Sequence, residues 1–136
     1  MRISIASDHA GFDLKSALAS ASFLDEGVFS TETSDYPDYA RIVCHKLLNG
    51  DIDFGILICG TGIGMSMAAN RFKGIRAALC HTSQDALYAR AHNNANILCL
   101  GARTQDVETA KEIVNVFLET PFEGGRHQRR IDKMDS

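Results

Sequence analysis

Short apolar segments alternate with segments of helical periodicity along the whole chain, and this alternation restricts the possible folds more than any other feature. Four apolar segments lack the polar alternation of half-exposed strands, as expected for strands covered on both faces. They span residues 2–7, 54–60, 75–80 and 96–101. A short additional strand is expected around residues 28–30. About five parallel strands are therefore predicted.

The intervening segments carry the apolar spacing of amphipathic helices. Apolar residues recur three and four positions apart at Leu14, Ala17, Leu18 and Ala21, and again at Val107, Ala110, Val114 and Phe117. A further helix is expected to begin after Ser34 or Asp35 and to end at Asn49 and Gly50. Strands and helices in this order predict an α/β fold, a Rossmann-like, doubly wound parallel sheet with right-handed crossovers. The segment after residue 123 is expected to form a C-terminal helical tail.

Composition excludes several function classes. The 136 residues are 45% hydrophobic, enough for one compact domain over 1–136. A net charge of −3 gives no basic excess for nucleic acid or a membrane surface, so a small-molecule partner is expected. The first apolar run breaks at Asp8, too early for a secretory segment, which predicts a cytoplasmic protein. The four cysteines show no zinc-site spacing, so no metal is expected.

Chemically useful residues follow two of the predicted strands. Asp8 and His9 follow the first, and Cys59 with the glycine loop 60–64 follows the strand at 54–60. Ligands of open parallel sheets bind outside the carboxyl ends of the strands. Both loops are therefore expected to face one pocket.

The loop "CGTGIGM" matches neither common nucleotide motif. Its G-x-G-x-G pattern is not the dinucleotide fingerprint, and it lacks the lysine and hydroxyl residue of a P-loop. Two interpretations remain open: an anion hole of main-chain N–H groups at a helix start, or a turn that only packs strand against helix. Beside the glycines, Cys59 is placed where the reactive thiolate is favoured, as a base or a nucleophile. Cys44 and Cys99 are expected in the core, and for Cys80, which ends a strand, both a core and a site position remain open, with the core favoured.

Two further groups of polar residues each have a structural and a functional interpretation. His92 ends a helix in "AHNNAN", which is either a simple Asn-rich cap or part of a site. A crossover helix of about ten residues spans about 15 Å, so His92 and Asn93 should lie far from the Cys59 loop of their own chain and serve a neighbour. A homodimer with shared active sites follows. Arg126 and Arg130 share a helical face and, with His127, suit phosphate, although a solvated basic tail is an equal alternative.

Five segments together resemble the type B ribose-5-phosphate isomerases and the related galactose-6-phosphate and allose-6-phosphate isomerases. They are "SDHAGFDLK", "DYPDYA", "ILICGTGIGMSMAANRFKGIRAALC", "ARAHNNANILCLGAR" and "FEGGRHQRR". The resemblance covers nearly the whole chain in order. It implies a metal-free and cofactor-free isomerisation of ribose 5-phosphate to ribulose 5-phosphate in dimers, often paired into tetramers.

The resemblance also implies roles for individual residues. Cys59 is similar to the base, Thr61 and the N–H groups of residues 60–65 (among them Gly60, Gly62 and Gly64) would hold the enediolate, and Asp8 with His92 would open the sugar ring. Sugar and phosphate binding would fall to six more residues: Tyr36, Asn93, His9, Arg103, Arg126 and Arg130.

The sequence departs from the family pattern in two places. The segment between Ala21 and Ser34 is short, and Asn94 stands where the family usually has Asp. Isomerisation of a six-carbon sugar phosphate and nonenzymatic binding of a phosphometabolite remain rival hypotheses.

Overall fold

The computed structural model describes residues Met1–Ser136, whose five strands form one parallel sheet. The strands are β1 (Ile3–Ser7), β2 (Phe23–Asp25), β3 (Phe54–Cys59), β4 (Ala77–Leu79) and β5 (Ile97–Gly101). The helices are α1 (Phe12–Leu18), α2 (Tyr36–Leu48), α3 (Ile63–Ala69), α4 (Ser83–Ala91), α5 (Val107–Glu119) and α6 (Arg126–Asp132). A 3₁₀ turn at His9–Gly11 precedes α1. The predicted α/β class and strand number are confirmed.

The strand order β2-β1-β3-β5-β4 contains a switch of direction between β1 and β3. From β1 the chain first crosses to one side to form β2, and it then returns past β1 to build the other half of the sheet. A crevice opens outside the carboxyl ends of the strands at such a switch point. The two loops with Asp8 and Cys59 flank this crevice.

Helices cover both faces of the sheet. On one face α1, α4 and α5 pack on Ile5, Ile56 and Leu98, and on the other α2 and α3 pack on Leu57 and Ile97. Neighbouring residues of a strand point to opposite faces. The side chain of Cys59 consequently points to the face of α2 and α3, with that of Leu57.

The predicted second strand was wrong in position. It lies at Phe23–Asp25 instead of residues 28–30, although main-chain hydrogen bonds to β1 continue up to Val28. Val28 is buried because the loop folds back onto the sheet, whereas Phe29 is exposed. Residues 28–29 therefore belong to a loop that is held against the sheet by Val28, and not to a strand. The first helix is also shorter than its apolar stripe predicted, because it ends at Leu18 before Ala21.

None of the helices combines the length and the apolar character needed to cross a bilayer.

Candidate active site

The glycine loop forms the floor of the crevice after β3. Gly62 has a φ of 79°, and an added Cβ would lie 2.5 Å from Leu79 and 2.9 Å from the main chain of Leu100. A side chain at this position would be both strained and crowded. Gly101 is similarly constrained, since its Cβ would lie 2.5 Å from the carbonyl oxygen of Thr61. The loop is thus held closely against the end of β5.

The sulfur of Cys59 is engaged by this loop. Cys59 is only 5% exposed, and its Sγ accepts a hydrogen bond of 3.2 Å from the N–H of Gly62. The thiolate is the form of cysteine that removes protons or attacks carbon, and a main-chain N–H can donate a hydrogen bond to it. The thiol therefore differs from an ordinary core cysteine in its polar contact.

Several main-chain donors of the loop have no acceptor in the chain. The N–H of Ile63 donates to Thr61 Oγ1 at 3.2 Å, and the N–H of Gly62 is taken by Cys59. The remaining N–H groups between 60 and 65 donate no hydrogen bond within the chain; they belong to Gly60, Thr61, Gly64 and Met65. Free N–H groups at a helix start can stabilise negative charge on a bound oxygen.

Asp8 lies beside Cys59 at the end of the neighbouring strand. Its N–H bonds to the carbonyl oxygen of Ile58, and its Oδ1 accepts from the N–H of Gly11, closing the 3₁₀ turn. The side chain is thereby fixed, and its second oxygen forms no hydrogen bond within the chain. Asp8 is 6% exposed, so the carboxylate is a well-positioned, largely buried group.

His9 is oriented by Ser34. The N–H of His9 donates to Ser34 Oγ at 3.0 Å, and His9 Nδ1 accepts from the N–H of Ser34 at 3.1 Å. Because a main-chain N–H can only donate, Nδ1 carries no proton and Nε2 carries it in the neutral ring. Nε2 is therefore a hydrogen-bond donor available to a ligand.

Tyr36 and Arg103 border the glycine loop. A Cβ on Gly64 would lie 2.7 Å from the ring of Tyr36, and a Cβ on Gly60 would lie 3.1 Å from the guanidinium of Arg103. Both glycines thus allow a large side chain to approach the loop backbone. A cleft of 540 Å³ lined by Asp8, His9 and residues 33–38 opens on the same side. Cys59 does not line this cleft, since the thiol is almost covered in the single chain.

The other expected site residues lie at the opposite edge of the sheet. Helix α4 begins after β4 and ends at Ala91, so its C-cap His92 and the following Asn93 lie near the amino ends of the strands. Helix α6, with Arg126 and Arg130, packs beside them, because His127 stacks on His92 with a ring separation of 4.3 Å. The structure does not bring these residues together with Cys59 of the same chain.

His127 and Glu123 lie beside His92 in a group that the sequence analysis did not predict. His127 was grouped with the arginines as a phosphate donor, but it is buried against His92. Burial and then Arg126 lower the pKa of His127. Glu123 was not singled out, yet its Oε2 lies 3.4 Å from His92 Nε2 and 3.6 Å from His127 Nε2. Only the packing of α6 on α4 reveals this group.

The parallel sheet defines the class as a doubly wound α/β protein, and the candidate site at its switch point contains a hydrogen-bonded thiol, a carboxylate and free main-chain donors. The family model described as Ribose/Galactose Isomerase matches residues 3–134. The chain belongs to this ribose/galactose isomerase family, and the resemblance stated from its motifs is confirmed.

Individual relatives agree over nearly full length. The chain is 43% identical to ribose-5-phosphate isomerase B of Escherichia coli, covering 96% of this chain and 92% of that protein. A crystal structure of a ribose 5-phosphate isomerase from Thermotoga maritima is 54% identical, with a TM-score of 0.97 over 98% of this chain and 97% of that one. The type B enzyme of Trypanosoma brucei is 43% identical, with a TM-score of 0.93 over 98% and 96%.

Proposed function

We propose that the chain is an aldose–ketose isomerase that interconverts ribose 5-phosphate and ribulose 5-phosphate in the cytoplasm. The observation that carries this proposal is the sulfur of Cys59, which accepts a main-chain hydrogen bond beside four N–H groups without an acceptor. The names of the relatives support ribose 5-phosphate as the substrate. Neither a metal nor an organic cofactor is needed for the steps below.

The central step is a proton transfer between neighbouring carbons. The Cys59 thiolate removes the proton from C2 of the open-chain aldose, and the electron pair moves onto the C1 carbonyl oxygen. The resulting enediolate takes hydrogen bonds from the free N–H groups of Gly60, Thr61, Gly64 or Met65. The Thr61 hydroxyl already accepts from Ile63, so its hydrogen remains available to a substrate oxygen. A proton then moves from the C2 hydroxyl to the C1 oxygen, the carbonyl forms at C2, and the thiol returns its proton to C1, which gives the ketose and regenerates the thiolate.

Ring opening precedes this transfer because ribose 5-phosphate is mainly cyclic. Asp8 offers a fixed carboxylate, and His92 offers an imidazole for the second half of the acid–base pair. Since His92 lies at the other edge of its own sheet, His92 of the partner subunit supplies the imidazole in this proposal. Asn93 accompanies it, and Tyr36 contacts the sugar from the first subunit.

In this proposal, hydrogen-bond donors from the carboxyl edge of one subunit's sheet and from the amino edge of its partner's sheet hold the phosphate. His9 donates from Nε2 and Arg103 from its guanidinium, next to the glycine loop. Arg126 and Arg130, both exposed on α6, complete the set from the partner in the proposed dimer. A fixed phosphate positions C1 and C2 near the sulfur, which lowers the entropic cost of the reaction.

Exposed apolar side chains support a second copy of the chain as the partner. Met67 on α3 is 62% exposed, and Ile63, Leu87 and Tyr88 are exposed on α3 and α4. Apolar patches of this kind are typical of subunit interfaces. Ile63 and Met67 lie on α3, which begins directly after the glycine loop, so burial of this helix in a homodimer would close the crevice. Further pairing of dimers into a tetramer is compatible with the proposal.

A coupled isomerase assay tests the proposed function. Wild-type protein should turn over ribose 5-phosphate with a higher kcat/KM than allose 6-phosphate or galactose 6-phosphate. Cys59→Ala should lose about 10³-fold or more of kcat, because a positioned base contributes about 10²–10⁴-fold, while substrate still binds in calorimetry. Cys44→Ala, which removes a core thiol, is the matched control and should keep wild-type kcat.

Two results would replace the proposal. Faster turnover of a six-carbon sugar phosphate would make that sugar the substrate. Binding of ribose 5-phosphate without turnover by the wild type would indicate a nonenzymatic binding protein.

A further inference from the structure

His92, Glu123 and His127 form a compact group between the end of α4 and the start of α6, and His92 is also the proposed ring-opening imidazole. Their potential ligand atoms all lie within 4.8 Å of one another. Glu123 Oε2 lies 3.4 Å from His92 Nε2 and 3.6 Å from His127 Nε2. In a tetrahedral zinc site with bonds of about 2.0–2.1 Å, neighbouring ligand atoms are about 3.3 Å apart. Two of the three separations are already close to that value.

One member of the group lacks the partner that its burial requires. His127 is 7% exposed, and its Nε2 is buried without any hydrogen-bond partner, since Glu123 Oε2 lies beyond hydrogen-bond distance. A buried polar atom without a partner is costly and is commonly explained by a ligand or ion. The Glu123 carboxylate is the polar group beside this nitrogen, at 3.6 Å, and the His92 ring stacks on the face of the same imidazole.

The other two members can adjust to an ion. The side chains of His92 and Glu123 are 36% and 56% exposed, so they can rotate without disturbing the core. The His92 ring stacks on His127 at an interplanar angle of 14°, so His92 rotates out of the stack for its Nε2 lone pair to meet that of His127 at one ion. With these three ligands, the fourth coordination position of a tetrahedral ion would be open to water.

The geometry points to a binding site for a transition-metal ion of the Zn²⁺ type, formed by His92, Glu123 and His127, which inhibits the isomerase when occupied. Two imidazoles and one carboxylate are the donor set that zinc accepts and that Mg²⁺ and Ca²⁺ disfavour. The neighbouring Arg126 and Arg130 oppose a cation, and the Glu123 carboxylate offsets part of this repulsion.

Inhibition follows from the double use of His92. A metal ion on Nε2 occupies the lone pair that the imidazole needs for acid–base chemistry. Zinc would therefore stop ring opening while leaving Cys59 and the glycine loop intact. This consequence rests on the proposed function, whereas metal binding itself does not.

Binding is measured first, without reference to activity. Zn²⁺ titration by calorimetry is carried out on the Cys59→Ser protein, so that the site thiol does not compete. One ion should bind per chain, and Glu123→Gln in the same background should weaken the affinity at least about tenfold. Glu119→Gln makes the same charge change on exposed α5 and should bind like its parent. Co²⁺ should give an absorption spectrum without a sulfur charge-transfer band.

Activity is measured on the protein with Cys59 intact. Zinc should inhibit the isomerase activity of the wild type, and a chelator should restore that activity. Glu123→Gln should keep the metal-free activity but need at least about tenfold more zinc for half-inhibition, whereas Glu119→Gln should behave like the wild type. His127→Gln provides a second ligand deletion with the same expected loss of zinc affinity.

The possible failures are distinguishable. Equal zinc affinity in the Glu123→Gln and Glu119→Gln proteins, a sulfur band with Co²⁺, or no binding would overturn the metal site. Intact zinc binding in a protein without isomerase activity would retain the site and reject the proposed function. Zinc binding without inhibition of an active enzyme would overturn the inhibitory role.

Discussion

At the scale of single residues, the four thiols of the chain have different surroundings. Burial raises the pKa of Cys44 to about 12, and burial with the nearby Asp85 raises the pKa of Cys80 to about 12. Burial also raises the pKa of Cys99 well above its ordinary value. These three thiols stay protonated at neutral pH, while Cys59 receives a main-chain N–H on its sulfur. We therefore expect Cys59 to be the reactive thiol among the four.

Alkylation tests this distinction. Iodoacetamide at pH 8 should modify Cys59 alone in the native protein, because alkylation requires the thiolate and the other three thiols remain protonated and buried. Mass spectrometry of the digested protein reports the position. Saturating ribose 5-phosphate should slow the modification at least about tenfold, by occupying the crevice. Rapid modification of Cys44, Cys80 or Cys99 in folded protein would contradict the assignment.

Sequence reasoning at this scale can locate a residue whose position along a strand determines which edge of the sheet it occupies. Cys59 and Asp8 could be singled out because each follows a buried strand, and such residues meet at one edge of a parallel sheet. Lys15 could not be, although it is 1% exposed and bonds to Asp25 at 2.6 Å and to the carbonyl oxygen of Val28 at 2.7 Å. No local pattern distinguishes this buried lysine from an exposed one on the polar face of α1.

At the scale of secondary-structure elements, the turn between β3 and α3 depends on glycine for two separate reasons. Gly62 has a φ of 79° and also contacts Leu79 and Leu100. Gly50 has a φ of 80°, but an added Cβ would meet nothing within 4 Å. The two positions share the backbone conformation and differ only in crowding.

Alanine substitutions separate these two costs. Gly50→Ala should lower the free energy of unfolding by about 1 kcal/mol, the cost of a left-handed alanine. Gly62→Ala should lower it by about 3 kcal/mol or more, because the methyl group also meets packed atoms, and it should reduce kcat by displacing the loop. Urea denaturation and the isomerase assay measure both. Equal losses of stability in the two variants would show that crowding at Gly62 contributes nothing.

The elements themselves were predictable to different degrees. β1, β3, β5 and α5 follow from apolar runs and helical spacing, because burial on a fixed face imposes those patterns. β2 does not, since it is a short edge strand with two exposed residues, held by main-chain bonds that any side chain permits. The group of His92, Glu123 and His127 could not be predicted from the sequence either, because it depends on how α6 packs against α4.

At the scale of the whole molecule, the candidate site is divided between the two edges of one sheet. Cys59, Asp8 and His9 lie at the carboxyl edge, and His92 with the arginines of α6 lies at the amino edge. A single chain cannot join them without unfolding. In the proposed dimer, the carboxyl edge of one subunit's sheet lies against the amino edge of its partner's sheet, so that the two halves of the site meet.

Subunit complementation tests the shared site. Cys59→Ala and His92→Ala proteins should each be nearly inactive. After equal amounts are mixed and allowed to exchange subunits, half of the dimers are hybrids with one intact site of two, so activity should reach about a quarter of the wild type. A mixture of Cys59→Ala with Asp8→Ala is the matched control and should stay inactive, because both residues belong to the same half-site. No recovery in the first mixture after demonstrated exchange would contradict sharing.

Proton transfer by Cys59 is the central claim, and solvent exchange measures it most directly. Ribose 5-phosphate is incubated with the protein in D₂O, and NMR follows the hydrogen on C2 of the recovered aldose and on C1 of the ketose. The account predicts that the wild type places deuterium at both positions to the extent that the thiol exchanges its proton with solvent before returning it, and that Cys59→Ala gives neither deuterium incorporation nor isomerisation. Exchange or isomerisation that persists at the wild-type rate in Cys59→Ala would contradict a thiolate base.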